Sequence, residues 1–79
     1  MANSHTDVMH RFAERLKEVL EYNRISQIQL AKKINMSQGI VNNYCTGKRE
    51  PSLNALFLIS QALNETTDYL LGLTDIPGK

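Results

Sequence analysis

Residues 24–49 hold five cations, Arg24, Lys32, Lys33, Lys48 and Arg49, and no aspartate or glutamate, although the 79-residue chain has a formal net charge of only +1. A stretch of this kind suits contact with phosphate, where an acid would repel and each cation displaces a counterion. It also carries amides in an unusual place. Asn42 and Asn43 stand side by side within a helical pattern, where propensity disfavours asparagine, so the pair suggests a use. Other chemistries are poorly served. The chain shows no paired carboxylates, no nucleophile beside a base, no glycine-rich phosphate loop and no metal-ligand spacing. His5 and His10 lie five apart, the wrong step for one helical face, and two ligands fall short of a metal site. Ser26 and Ser37 read as helix caps rather than catalytic hydroxyls. Cys45 has no histidine or acid placed to activate it. The expectation is a protein that binds rather than transforms, with no catalytic residue, no metal, no cofactor and no evident small-molecule substrate.

The elements that position these residues follow from composition and periodicity. Apolar residues make up 42% and charged residues 22%, the balance of a small globular domain rather than a disordered chain. No apolar run approaches the roughly 18 residues of a membrane helix, and there is no secretory leader pattern. A lone cysteine cannot cross-link the chain internally, so packing must supply the core, which favours a reducing, cytoplasmic setting.

Five helices are expected, after a polar lead over 1–6. Val8, Phe12, Leu16, Val19 and Leu20 recur at helical spacing and define a first helix over about 7–22, capped by Thr6 or Asp7. Ser26-Gln27-Ile28-Gln29 has the S-x-x-Q form of a capping box and opens a second helix over about 27–34. Its inward residues are Ile28 or Leu30, with Ala31 and Ile34. Asn35 suits the left-handed residue that ends a helix, and Ser37 caps the next. A connection this short forces a steep crossing, a helix-turn-helix. The third helix, about 38–46, turns Val41, Tyr44 and Cys45 inward and stops at Gly47. Ser52 caps a fourth over about 53–63, where Leu53, Leu56, Phe57, Ile59, Ser60 and Leu63 form an apolar share too large for a freely exposed helix. Tyr44 and Phe57 are expected in the core. Asn64 ends that helix, Thr66 caps a short fifth over about 67–71, and Gly72 leads into a tail over 73–79. The fold class is all-α, with one domain over 7–72.

The chain resembles the lambda-repressor-like helix-turn-helix domain of phage repressors, Cro proteins and Xre-type bacterial regulators. The likeness covers about 11–73 and is carried by SQIQLAKKINMS, then QGIVNNYCTGKREPSL, then LFLISQALNETTDYLLGL. The glutamine at the start of helix 2, Leu30-Ala31, Ser37, Val41, Gly47-Lys48-Arg49, Pro51-Ser52 and Leu70-Leu71-Gly72 fall at the family's spacing. Departures are Asn35 in place of a common glycine, Cys45-Thr46 where Glu-Asn is frequent, and Gly39-Ile40 where small polar residues are usual.

The resemblance implies a five-helix DNA-binding domain with its helix-turn-helix at about 27–46. Its third helix would read base edges in the major groove through Gln38, Gly39, Asn42 and Asn43, with Ile40 set against a thymine methyl. Phosphates would be held by Gln27 and Ser37 at helix starts, by Thr46, Lys48 and Arg49 in the loop after helix 3, and by Lys33, although Lys32 and Lys33 serve equally well as a solvated pair. Acids at Glu14, Glu18, Glu21, Glu65, Asp68 and Asp75 would then face away. The implied function is that of a transcriptional regulator, a phage, prophage or bacterial repressor, acting in the cytoplasm on double-stranded DNA with a two-fold operator. One small domain makes few contacts, so a homodimer is expected, with helix 5 and the tail as the dimer contact. The alternative is a protein-binding module such as an antitoxin on the same fold, favoured by the low polarity of Gly39 and Ile40.

Overall fold

Each helix start in the computed structural model is made by the side chain just before it, from α2 onward. The structure describes residues 5–78. Five helices are present, α1 (His5–Asn23), α2 (Gln27–Ile34), α3 (Gln38–Cys45), α4 (Leu53–Leu63) and α5 (Thr67–Leu70), with no strand among the described residues. Ser26 Oγ accepts from Gln29 N while Gln29 Oε1 accepts from Ser26 N, a complete capping box. Ser37, Ser52 and Thr66 accept from Ile40, Ala55 and Tyr69 N in the same way. Asn35 and Asn64 end α2 and α4 with φ of 58° and 54°, the left-handed turn that returns two N–H groups to helix carbonyls.

Four helix ends differ from the sequence expectation. Thr6 and Asp7 do not cap α1, because the helix already runs from His5 and both residues lie within it. Of the expected lead, residues 1–4 are outside the described residues. At the other end α1 continues to Asn23 and is closed by Arg24, whose φ is 57°. Arg24 N donates to Glu21 O and Ile25 N to Leu20 O. α3 ends at Cys45 with Thr46 as its cap, and α5 ends at Leu70, one residue earlier than expected in each case.

The helices pack around one core. Phe12, Leu16 and Leu20 of α1 meet Leu30 and Ile34 of α2, Val41 and Tyr44 of α3, Ile59 and Leu63 of α4, and Leu70 of α5. Phe12 and Tyr44 meet edge to face with ring centres 6.4 Å apart, a favoured aromatic geometry. Of the two candidates in α2, Leu30 is buried and Ile28 is exposed. Val8 is only half-buried. The expectation for α4 fails in one respect: Phe57 is 57% exposed and Leu53 87% exposed. Ala55, Ile59 and Leu63 already fill the core-facing stripe, and a helix has one such stripe.

Candidate nucleic-acid interface

α2 and α3 are joined by Asn35, Met36 and Ser37 alone, so the first turn of α2 and the first turns of α3 face each other. Gln27, the first residue of α2, lies at that junction. Its Oε1 accepts from Asn42 Nδ2 at 3.2 Å and from Gln38 Nε2 at 3.4 Å. Gln38 and Asn42 are four apart and therefore neighbours on one helix face. Three carboxamides thus share one oxygen, with no charge among them. Each amide nitrogen bears two protons, so Gln38 and Asn42 each keep a donor and an acceptor, while Gln27 keeps both its donors. Gln38 and Gly39 are exposed, and Asn42 is half-buried. Nothing lies within 4 Å of where a Gly39 Cβ would stand.

The remaining expected positions divide by role. Ile40 is half-buried and packs against the core, so its side chain is committed inward more than the sequence suggested. Asn43 is half-buried, and its carbonyl accepts from the backbone N–H of Lys48 and of Arg49. This closes the loop after α3 and projects two exposed cationic side chains from it. Gly47 makes the bend with φ of 75°, a conformation that costs any residue with a Cβ. Thr46 gives its hydroxyl to Asn42 O at 3.0 Å and its N–H to the same carbonyl, so both its donors finish α3. Ser37 is exposed and its Oγ accepts from Ile40 N. Lys33 is exposed in the last turn of α2, beside Lys32, and takes no part in the carboxamide cluster. The structure therefore joins Gln27, Gln38 and Asn42 directly, arranges Lys48 and Arg49 through Asn43, and leaves Gly39 and Lys33 as surface positions. Sequence reading missed the Gln27–Asn42 tie. The available signal was the four-residue spacing of Gln38 and Asn42, which puts both on the face that meets the preceding helix.

Glu50 follows Arg49 in the loop after α3 and is exposed, whereas other acids lie away from it. Glu18 and Glu65 line a cleft of about 500 Å³ with Tyr22, Tyr69 and Pro77, where α1 meets α5 and the tail. Glu65 is buried and its Oε1 accepts from Thr66 N and from Gly78 N. Cys45 is buried on the inner side of α3, and burial pushes its thiol upward while Lys17 lowers it. That is the opposite of an activated thiolate. Among the described residues no group of three or more His, Cys, Asp or Glu could hold a metal ion, and no helix is long and apolar enough to cross a membrane.

A helix-turn-helix with a carboxamide cluster at its junction defines a class, and comparison with known proteins gives its family. A family model described as Helix-turn-helix matches residues 16–70, and this chain belongs to that family, of the Cro/C1 type. It is similar to two proteins of Bacillus subtilis strain 168. One is the uncharacterized HTH-type transcriptional regulator YobD, 29% identical over 66 residues, covering 84% of this chain and 59% of that protein. The other is the HTH-type transcriptional regulator ImmR, 33% identical over 66 residues, covering 84% of this chain and 52% of that protein. The chain thus spans about half the length of the curated relatives it matches. Among solved structures it resembles the restriction-modification controller protein C.AhdI from Aeromonas hydrophila, with a TM-score of 0.75 and 26% identity over 78% of this chain and 94% of that one. It also shares the fold of a LexA SOS-response transcriptional repressor from Eubacterium rectale, with a TM-score of 0.78 and 21% identity over 90% of this chain and 73% of that one.

Proposed function

We propose that this chain is a sequence-specific DNA-binding transcriptional regulator, a repressor in the bacterial cytoplasm, that reads the major groove of double-stranded DNA with α3. The observation that carries this reading is the uncharged carboxamide cluster of Gln27, Gln38 and Asn42, set in a stretch with five cations and no acid. An α-helix fits the groove, and a glutamine or asparagine amide with one donor and one acceptor left matches adenine N7 and N6, a pairing worth about 1–3 kcal/mol of discrimination. Gln27 would hold the reading amides in orientation and offer its own N–H groups to a phosphate at the start of α2. Lys48 and Arg49 would grip the backbone beyond the groove. The chain binds as a homodimer on a two-fold operator in this reading, since one domain of this size presents few base contacts.

Selection from a random duplex pool, followed by salt titration of the best sequence, tests the reading. The expected result is a two-fold consensus whose affinity falls steeply with salt. Lys48→Ala and Arg49→Ala should each weaken binding equally on all sequences and reduce the log–log salt slope by about 1. A folded protein that selects no duplex sinks the reading. The competing reading, a protein-binding module such as an antitoxin, draws on the inward packing of Ile40, which removes one side chain from the reading face, and would then take its place.

A further inference from the structure

We infer that the cleft where α1 meets α5 and the tail binds a small organic ammonium, a primary amine on an apolar body. The inference goes beyond the DNA reading and stands apart from it, since no residue lining the cleft belongs to α2, α3 or the loop after α3.

Glu65 is the residue that points to a ligand. It is only 7% exposed, yet both hydrogen bonds to its carboxylate fall on one oxygen. Oε1 accepts from Thr66 N at 3.1 Å and from Gly78 N at 2.6 Å. Among the described residues nothing donates to Oε2, and no lysine, arginine or histidine pairs with the group. A buried carboxylate is ordinarily matched by a cation or by donors to both its oxygens. Oε2 nonetheless reaches solvent, because no side-chain oxygen among the described residues is both enclosed and unpartnered. Glu65 lines the cleft, so a donor that enters there can complete it.

The rest of the lining selects the charge and body of that donor. Glu18 is exposed, and Tyr22 stands four residues on, on the same face of α1. The Tyr22 ring is 83% exposed, and Val19, Tyr69 and Pro77 add apolar surface. The lining thus holds two carboxylates and no cation. The Arg15 guanidinium that covers one face of Tyr69 is already matched by Asp75 and by the carbonyls of Tyr69 and Thr74. An aromatic face attracts a cation, and an ammonium gives a carboxylate oxygen a charge-assisted hydrogen bond. An anion would meet two like charges. A volume of about 500 Å³ lies within the range of small-molecule sites.

Titration of the 79-residue chain with phenethylammonium, followed by amide NMR shifts, tests the assignment. Phenethyl alcohol and phenylacetate serve as the neutral and anionic counterparts on the same body. The expected result is saturable shifts centred on Val19, Tyr22, Glu65 and Tyr69, with the ammonium bound at least about tenfold more tightly than the alcohol and no binding of phenylacetate. Glu65→Gln keeps an acceptor for Thr66 N and Gly78 N but removes the charge, and should weaken ammonium binding about tenfold. Glu18→Gln and Tyr22→Ala, both at exposed positions, should each weaken it about threefold. Thermal melting verifies the folding of each variant, and if Glu65→Gln does not fold the two exposed variants decide. Equal affinity for the ammonium and the alcohol overturns the inference, as does unaltered ammonium affinity in the folded variants. Absence of saturable shifts at the lining overturns it outright. None of these outcomes bears on the DNA reading, which duplex selection decides.

Discussion

Gln27 and Asn42, fifteen residues apart, meet across the turn between α2 and α3 with Asn42 Nδ2 donating to Gln27 Oε1 at 3.2 Å. This bond fixes which way both amides point. It occupies the oxygen of Gln27 and not its donors, and it leaves Asn42 with one donor and its oxygen. If Gln27 both organises the proposed reading face and touches phosphate, its mutation should show two separable effects.

Gln27→Ala removes both. Affinity for the selected operator should fall by about 1–3 kcal/mol, with relaxed preference at the positions read by Gln38 and Asn42. Gln27→Glu keeps an acceptor for both amides but loses the donors and adds a negative charge. Base preference should then survive while affinity drops on every sequence and the loss grows as salt is lowered. Equal, salt-independent affinity of Gln27→Glu and the parent in a fluorescence-anisotropy titration would confine Gln27 to the internal role.

Arg15 should matter more than its ion pair. Its side chain is 18% exposed and lies 4.1 Å from the Tyr69 ring centre. It donates to Tyr69 O at 3.0 Å and to Thr74 O at 2.9 Å, and to Asp75, whose side chain is 93% exposed. A pair with one partner in water contributes under about 1 kcal/mol. Tyr69 O keeps the Gly72 N–H, but Thr74 O loses the Arg15 donor, and a part-buried carbonyl left without one costs about 1–3 kcal/mol. Arg15→Ala should therefore destabilise by about 2–3 kcal/mol and Asp75→Asn by less than about 1 kcal/mol in urea titrations. Amide exchange of residues 71–76 should accelerate in Arg15→Ala first. Equal losses in the two variants would place the stabilisation in the ion pair.

How much of this was legible in the sequence depends on whether the cause was local. The capping box of Ser26 and Gln29, the caps Ser37, Ser52 and Thr66, and the left-handed Asn35 and Asn64 are each decided by residues within a few positions, and all appear in the chain as read. Phe57 could not be placed that way. It shares a helix with more apolar residues than one core stripe can bury, and the neighbours that occupy the core decide which are left out. Glu65 likewise reads as a surface acid. Its burial depends on the tail returning to place Gly78 N against it, a contact across 13 residues. Within the candidate interface the cations and amides were visible as residue types, and the sharing of one Gln27 oxygen was not, because it needs the crossing of two helices.

Cys45 gives the protein an alkaline limit. Burial raises its thiol above the ordinary 9.0, with Lys17 opposing less strongly. The folded state therefore holds the neutral thiol at a pH where the unfolded chain has released the proton. The stability involved is fully present below the ordinary value and is lost as pH rises through it towards the folded-state value. Melting temperature should accordingly decline above about pH 9 more steeply in the parent than in Cys45→Ala, a change that itself removes about 1 kcal/mol of apolar burial. Thiol reagents should react slowly with the native protein at neutral pH and at once in denaturant. Parallel pH–stability curves for the two proteins would show that the thiol titrates alike in both states.

Arg24 carries a conformational cost that a single substitution can relieve. Its φ of 57° closes α1, and a non-glycine residue in that region costs roughly 1–2 kcal/mol relative to the right-handed conformation. Asn23, the better left-handed candidate by type, is still helical and donates from Nδ2 to Val19 O. The closing position thus fell on a residue with no local aptitude for it. Arg24 is exposed, so removing its side chain disturbs no packing. Arg24→Gly should stabilise by about 1 kcal/mol, a rise in melting temperature of roughly 4–8 °C for a domain of this size. Arg24→Val, branched at Cβ, should destabilise in the same assay. If Arg24 also touches phosphate, the glycine variant will separate the two effects, melting higher while binding DNA with a shallower salt slope.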